Sequence, residues 1–179
     1  MADLSGKNVA IIAVTFVEDA ELTTPRDALT EAGATVKIYS PDGSSIQTVE
    51  GDTDPKQEIQ ADGSFGDIDV DTIDALVVPG GTVNADKLRV DEDAQELVRQ
   101  VTEADKPLAV ICHAPWLLVS AGLVEGKRLT SFESVALDVK NAGGTWVDEE
   151  VVVDGNLITS RNPDDLDAFV GAIEDALTS

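Results

Sequence analysis

The sequence predicts an α/β fold, a three-layer sandwich built on a mostly parallel sheet, and three observations predict it. Short, nearly continuous apolar runs recur at residues 9–16, 74–79 and 107–111, the pattern of parallel strands covered on both faces. Segments with apolar residues at helical spacing separate them, and this alternation of strand and helix signals is that of βαβ units. The reactive and turn-forming residues also gather where the runs end: Gly80-Gly81 follow the second run, and Cys112-His113 follow the third. In an open α/β sheet, ligands bind at the carboxyl ends of the strands.

The elements follow in order. Residues 9–16 read as a central strand and 17–21 as the loop at its carboxyl end. Leu22, Ala28, Leu29 and Ala32 then mark a helix that stops at Gly33. A second strand at 35–39 ends in the turn signal Ser40-Pro-Asp-Gly43. The pattern weakens over residues 44–73, where short excursion strands and loops are expected. Carboxylates alternate at Asp67, Asp69 and Asp71, but Thr72 stands at the required loop glycine and Val78 at the closing glutamate. The stretch therefore fails the calcium-loop pattern and reads as a solvated acidic face.

Ala94, Leu97, Val98, Val101 and Ala104 give an amphipathic helix ahead of the Cys112 strand. Pro115 suits the first turn of the next helix, whose apolar body is Trp116 to Val119. A short strand at 129–131 precedes a helix bearing Val135 and Val139, with Thr130 or Ser131 as its expected cap. Residues 150–153 and 156–159, joined through Asp154-Gly155, carry a strong hairpin signal. Asn162 and Pro163 open a final helix that buries Leu166, Phe169, Val170, Ile173 and Leu177.

Composition narrows the function classes. The 179 residues suit one domain spanning 1–179, and 42% hydrophobic content is enough for a real core. The net charge of −23 is extreme for that length. Such a surface repels phosphates and anionic lipids, so neither nucleic acid nor membrane is an expected partner. It also suggests a halophilic protein, in which concentrated salt screens the self-repulsion. A melting temperature that failed to rise between low and molar potassium chloride would count against that hypothesis. One cysteine permits no internal disulfide, which fits a reducing compartment. The apolar start resembles a signal peptide only superficially: Asp3 interrupts the basic segment, and Glu18-Asp19 follow with no small-residue cleavage site. A cytoplasmic location is the expectation.

The candidate site assembles from three strand ends. Cys112 is the only cysteine and His113 the only histidine. A strand, a sharp turn and a buried helix would meet at Cys112, and the amides at that helix start would favour a thiolate nucleophile. The alternative is a buried structural cysteine. Adjacent residues of an extended chain point to opposite faces, so a direct Cys112–His113 hydrogen bond does not follow from adjacency. Glu18 could share a proton with Cys112, and the amides of Gly81 and His113 could form an oxyanion site beside Gly80. The single histidine argues against a zinc site, and no metal or organic cofactor is expected.

Taken together, these stretches resemble a known family. They are Val17-Glu-Asp-Ala-Glu-Leu22 with Pro25, Asp74-Ala-Leu-Val-Val-Pro-Gly-Gly81 and Ala109-Val-Ile-Cys-His-Ala-Pro115. Ala121-Gly-Leu, Asn141-Ala-Gly, Trp146-Val-Asp, Glu150-Val-Val-Val-Asp-Gly-Asn156 and Ser160-Arg-Asn-Pro163 extend the match along nearly the whole chain. The chain resembles the PfpI-type intracellular peptidases and their relatives around the parkinsonism-associated deglycase, in the class I glutamine amidotransferase-like superfamily. That resemblance implies a flavodoxin-like sandwich, assembly as a homo-oligomer, and a Cys112 nucleophile on an elbow turn. It also implies Glu18 hydrogen-bonded near the thiol, His113 beside it, and the Gly81 and His113 amides as oxyanion donors. The peptidase pattern adds a glutamate from a neighbouring subunit shortly after the double glycine. Here residues 82–86 hold only Asp86, which departs from that pattern.

Three activities follow from the resemblance. The favoured one is cofactor-free chemistry on reactive α-oxoaldehydes or their glycation adducts, of the glyoxalase or deglycase type. The alternatives are a cysteine peptidase with Asp86 as a subunit-crossing acid, and a non-enzymatic stress protein that senses redox state through Cys112. A glutamine amidotransferase would need a second, downstream histidine, and none exists. Arg161 and Trp116 are expected to serve structure more than catalysis.

Overall fold

A computed structural model describes residues 2–179. Its main sheet has seven strands in the order β11-β12-β8-β7-β1-β3-β6. In chain order these are β1 (Asn8–Ile12), β3 (Thr35–Ser40), β6 (Gly63–Ser64), β7 (Ala75–Val78), β8 (Leu108–Ile111), β11 (Val151–Asp154) and β12 (Leu157–Ser160). All neighbours pair in parallel except β11, which runs antiparallel to β12 at the edge. A small sheet joins β2 (Val17–Glu18), β4 (Ile46–Glu50) and β5 (Asp54–Ile59), and a two-stranded ribbon joins β9 (Arg128–Leu129) to β10 (Thr145–Trp146).

Alternation along β1 divides the core into two layers. Val9 and Ile11 face α1 (Asp19–Glu31) and α6 (Leu166–Thr178), where they meet Leu22, Leu29, Phe169 and Ile173. Ala10 and Ile12 face the opposite layer, which contains Leu88 of α2 (Thr82–Leu88) and Leu97 and Val101 of α3 (Glu92–Glu103). It also holds Leu117 and Leu118 of α4 (Pro115–Ala121) and Val139 of α5 (Ala136–Asn141). Burying each large aliphatic or aromatic side chain contributes about 1.5–3 kcal/mol, so both layers clamp the central strands firmly. The expected three-layer, mostly parallel α/β fold is therefore the observed one.

Several local expectations need correction. The first strand stops at Ile12, not at residue 16, because the chain turns through Phe16 at φ +68° and hands its amide to Gln47 O at 2.7 Å. Residues 17–21 are not a loop: Val17–Glu18 pairs with β4, and α1 starts at Asp19. Neither Thr130 nor Ser131 caps the helix that follows them. Thr130 Oγ1 is buried without a partner, and the Ser131 hydroxyl binds Phe132 O and Trp146 Nε1. The β11–β12 turn is Gly155-Asn156, one residue later than expected, with Gly155 at φ +61°. Asn162 does cap the last helical segment, accepting the Asp164 N–H at 2.9 Å. Among the described residues, no helix is long and apolar enough to cross a membrane.

Candidate active site

Cys112 follows directly on the buried strand β8 with φ +65°, a left-handed conformation that costs a non-glycine residue about 1–2 kcal/mol. Backbone bonds on both sides hold it there. Its N–H donates to Ser160 O on β12 (3.1 Å), and its carbonyl accepts the Phe132 N–H (2.8 Å). The Ala114 N–H closes the turn onto Ile111 O at 3.1 Å. Strain fixed in this way from several directions is a common mark of a functional position. Pro115 opens α4, as the sequence predicts. The thiol lies in a tight recess, 6% exposed.

The double glycine forms the opposite wall. A Cβ on Gly80 would fall 2.6 Å from the Cys112 Cβ and 2.6 Å from Glu21 Oε2, so no other residue fits. Gly81 takes φ +90°, where a Cβ would lie 2.7 Å from the Glu18 amide nitrogen. This close packing sets the double glycine against Cys112, and the Gly81 and His113 N–H groups favour its thiolate. These are the two amides that the sequence puts forward as oxyanion donors.

The acid beside the thiol is Glu21, not Glu18. Glu21 is fully buried, accepts the Gly80 N–H through Oε2 at 2.8 Å and lies against the Cys112 side chain beside Gly80. Its Oε1 has no hydrogen-bond partner among the described residues. Glu18 ends β2 in an extended conformation just ahead of α1, and its carboxylate turns away toward the β4–β5 hairpin. There it accepts the amides of Gly51 and Asp52, each at 3.1 Å. The helix start explains the exchange. With Asp19 as the first helical residue, Glu21, Pro25 and Leu29 fall at four-residue spacing on the buried face. Extending that spacing backward from Leu29 was the available sequence signal.

Burial governs the protonation of the pair. Desolvation, with smaller pushes from the charges of Glu18 and Asp52, raises the Glu21 carboxyl to about 8, so it carries its proton at neutral pH. Burial also pushes the Cys112 thiol up, and a charged Glu21 would push it further. The expected lowering by helix amides is outweighed, although the Gly81 and His113 N–H groups do favour the thiolate. Protonated Glu21 removes the second of these obstacles and can donate to a forming thiolate, so the two groups act as one proton-sharing unit.

His113 does reach the thiol: Nδ1 stands 3.2 Å from Sγ. The ring stacks on Phe132 at 4.4 Å and meets the edge of Trp116 at 5.5 Å. Nε2 faces two hydroxyls, Ser134 at 3.2 Å and Thr82 at 3.4 Å, and no carboxylate. Burial lowers its pKa, which keeps the imidazole neutral at pH 7. Phe132 and Ser134 also line a cavity of about 590 Å³ that opens beside the ring. Asp86 is exposed on α2 and, among the described residues, bonds to nothing in the site. Arg161 is tied to Asp165 (2.8 and 2.9 Å) and Asp148 (2.7 Å), and Trp116 Nε1 donates to Asp138 (3.1 Å), which gives both residues structural partners.

The model of the DJ-1/PfpI family matches residues 7–176. The chain belongs to the DJ-1/PfpI family. It is 40% identical over 162 residues to deglycase TK1284 of Thermococcus kodakarensis, covering 90% of this chain and 94% of that one. It is 36% identical over 166 residues to general stress protein 18 of Bacillus subtilis, covering 92% and 94%. Among solved structures, a two-domain protein of Anabaena variabilis with DJ-1/ThiJ/PfpI-like and ferritin-like domains superposes with a TM-score of 0.90 at 36% identity. The match covers 96% of this chain and 48% of that longer one, so the family member spans about half its length.

Proposed function

We propose that the protein is a cofactor-free cysteine enzyme acting on reactive α-oxoaldehydes or their glycation adducts. The observation that carries this reading is Cys112 on a left-handed elbow against a fully buried Glu21 beside Gly80, with the Gly81 and His113 amides favouring its thiolate. The Cys112 sulfur adds to the aldehyde carbon and its proton ends on the former carbonyl oxygen, giving a hemithioacetal. The Gly81 and His113 amides hold the oxygen while it carries charge. Glu21 passes its proton to the ketone oxygen, takes the hydrogen from the former aldehyde carbon to give an enediol, returns it to the neighbouring carbon, and recovers its own proton from the hydroxyl of the former aldehyde carbon. A thioester results. Water then releases the 2-hydroxy acid and restores the thiol, so that one dicarbonyl and one water give one hydroxy acid.

The names of relatives support a deglycase-type reading. A peptidase triad is less well served, since among the described residues the free side of His113 meets only the hydroxyls of Ser134 and Thr82. A carboxylate there would have to come from another copy, with Asp86 as the candidate. The test is conversion of methylglyoxal to lactate by the wild type, Cys112→Ala and Glu21→Gln. We expect turnover in the wild type, none in Cys112→Ala, and a fall of about 10²–10⁴-fold in Glu21→Gln. A folded wild type without turnover would overturn the reading.

A further inference from the structure

The β4–β5 hairpin is the least embedded element near the site, with Asp54 to Glu58 exposed. Its tip nevertheless bends over the carboxyl ends of the main strands and is gripped from two sides. The Glu18 carboxylate accepts the consecutive amides of Gly51 and Asp52, both of which have positive φ (+59° and +68°). Successive amides in this conformation form a concave anion seat, and here a side chain of the same molecule fills it. Asp52 in turn accepts the Thr82 N–H through Oδ1 at 2.7 Å. For a non-glycine residue the left-handed backbone is costly, so a turn built only to reverse the chain would favour glycine at 52. Aspartate is one of the few other residues this backbone tolerates, and here its carboxylate also takes the Thr82 N–H.

What that carboxylate holds is the segment that reaches the chemistry. Thr82 directly follows Gly81, whose amide favours the Cys112 thiolate, and the Thr82 hydroxyl faces His113 Nε2 at 3.4 Å. We propose that Asp52 is a positioning residue: anchored by Glu18, it fixes the Gly81–Thr82 segment so that the Gly81 amide stays on the reacting oxygen and Thr82 stays against His113. This rests on the proposed aldehyde chemistry for its kinetic consequence but not for its structural one. Asp52 also sets a charge beside the site. The groups facing the imidazole are the Cys112 thiol at Nδ1, the uncharged Thr82 and Ser134 at Nε2, and the Phe132 and Trp116 rings, with Arg89 beyond Trp116 at 5.3 Å. Asp52 is the anion that raises the His113 pKa against burial, and it raises that of Glu21 as well.

Two substitutions separate the roles. Asp52→Asn keeps a carbonyl oxygen for the Thr82 N–H and removes the charge. Asp52→Gly relieves the left-handed strain, which favours the turn, and removes the acceptor. Because His113 is the only histidine, its imidazole NMR signal titrates alone. We expect its midpoint to move to lower pH in both variants. Methylglyoxal kinetics should show kcat/KM reduced about tenfold in Asp52→Gly, mostly through kcat, and less in Asp52→Asn, with melting temperature held or raised in Asp52→Gly. An unmoved His113 midpoint in both folded variants would overturn the proposal and leave Asp52 as a turn residue. That titration needs no substrate, so it reads out even if methylglyoxal is not turned over.

Discussion

Two walls of one site are built in opposite ways. The Cys112 wall belongs to the seven-stranded sheet: β7, β8 and β12 are buried along their lengths, and the elbow and Gly80 interlock at van der Waals limits. The Glu18–Asp52 wall belongs to a three-stranded outlier with an exposed outer strand, held by hydrogen bonds more than by packing. The contrast teaches where each kind of precision comes from. Covalent chemistry needs a nucleophile that does not move, and the rigid core supplies it. A peripheral hairpin can adjust the second wall without disturbing the core.

The sharpest way to break this comparison is glycine substitution on each wall. Gly80→Ala would drive a methyl into Cys112 and Glu21, so we expect a loss on the order of 4 kcal/mol, roughly 10 °C in melting temperature, and no turnover. Gly51→Ala meets no atom within 4 Å and pays only for its φ of +59°, about 1 kcal/mol. Equal losses from the two would contradict the division between a packed and a hydrogen-bonded wall.

Comparable to the larger of these two effects is the pH dependence of stability. The Glu21 carboxyl sits at about 8 in the folded protein against an ordinary 4.5, so the folded state keeps a proton that the unfolded chain releases. Its contribution is complete below about 4.5 and is lost as pH rises through about 8. Thermal melts should therefore show wild-type stability falling across that window relative to Glu21→Gln, which has no such proton to lose. Parallel curves for the two proteins would place the buried charge elsewhere.

The sequence made the architecture legible where a single period dominated. The buried runs at β7 and β8, the helix through Leu97 and Val101, and the turn at Cys112 all stand where apolar spacing and Pro115 put them. It was less legible where tertiary pairing overrides local pattern. Nothing in residues 13–18 announces that Phe16 will turn left-handed to bind Gln47, and that turn moves the helix start back to Asp19. Three residues of helix are enough to exchange the roles of Glu18 and Glu21. The Asp52 contact was out of reach altogether, because it joins a hairpin tip to a helix start 30 residues away. Gly80 was visible only as half of a weak glycine pair, and its necessity comes from neighbours supplied by α1 and β8.

The proton partner proposed for the thiol is Glu21. It is tested most directly by following thiolate ultraviolet absorbance against pH in the wild type, Glu21→Gln and Glu18→Gln, with Cys112→Ala as the blank. The single cysteine makes the signal unambiguous. Since a charged Glu21 raises the Cys112 pKa, the thiolate should form at lower pH in Glu21→Gln and remain nearly unchanged in Glu18→Gln. A shift in Glu18→Gln with none in Glu21→Gln would contradict the account and return Glu18 to the thiol.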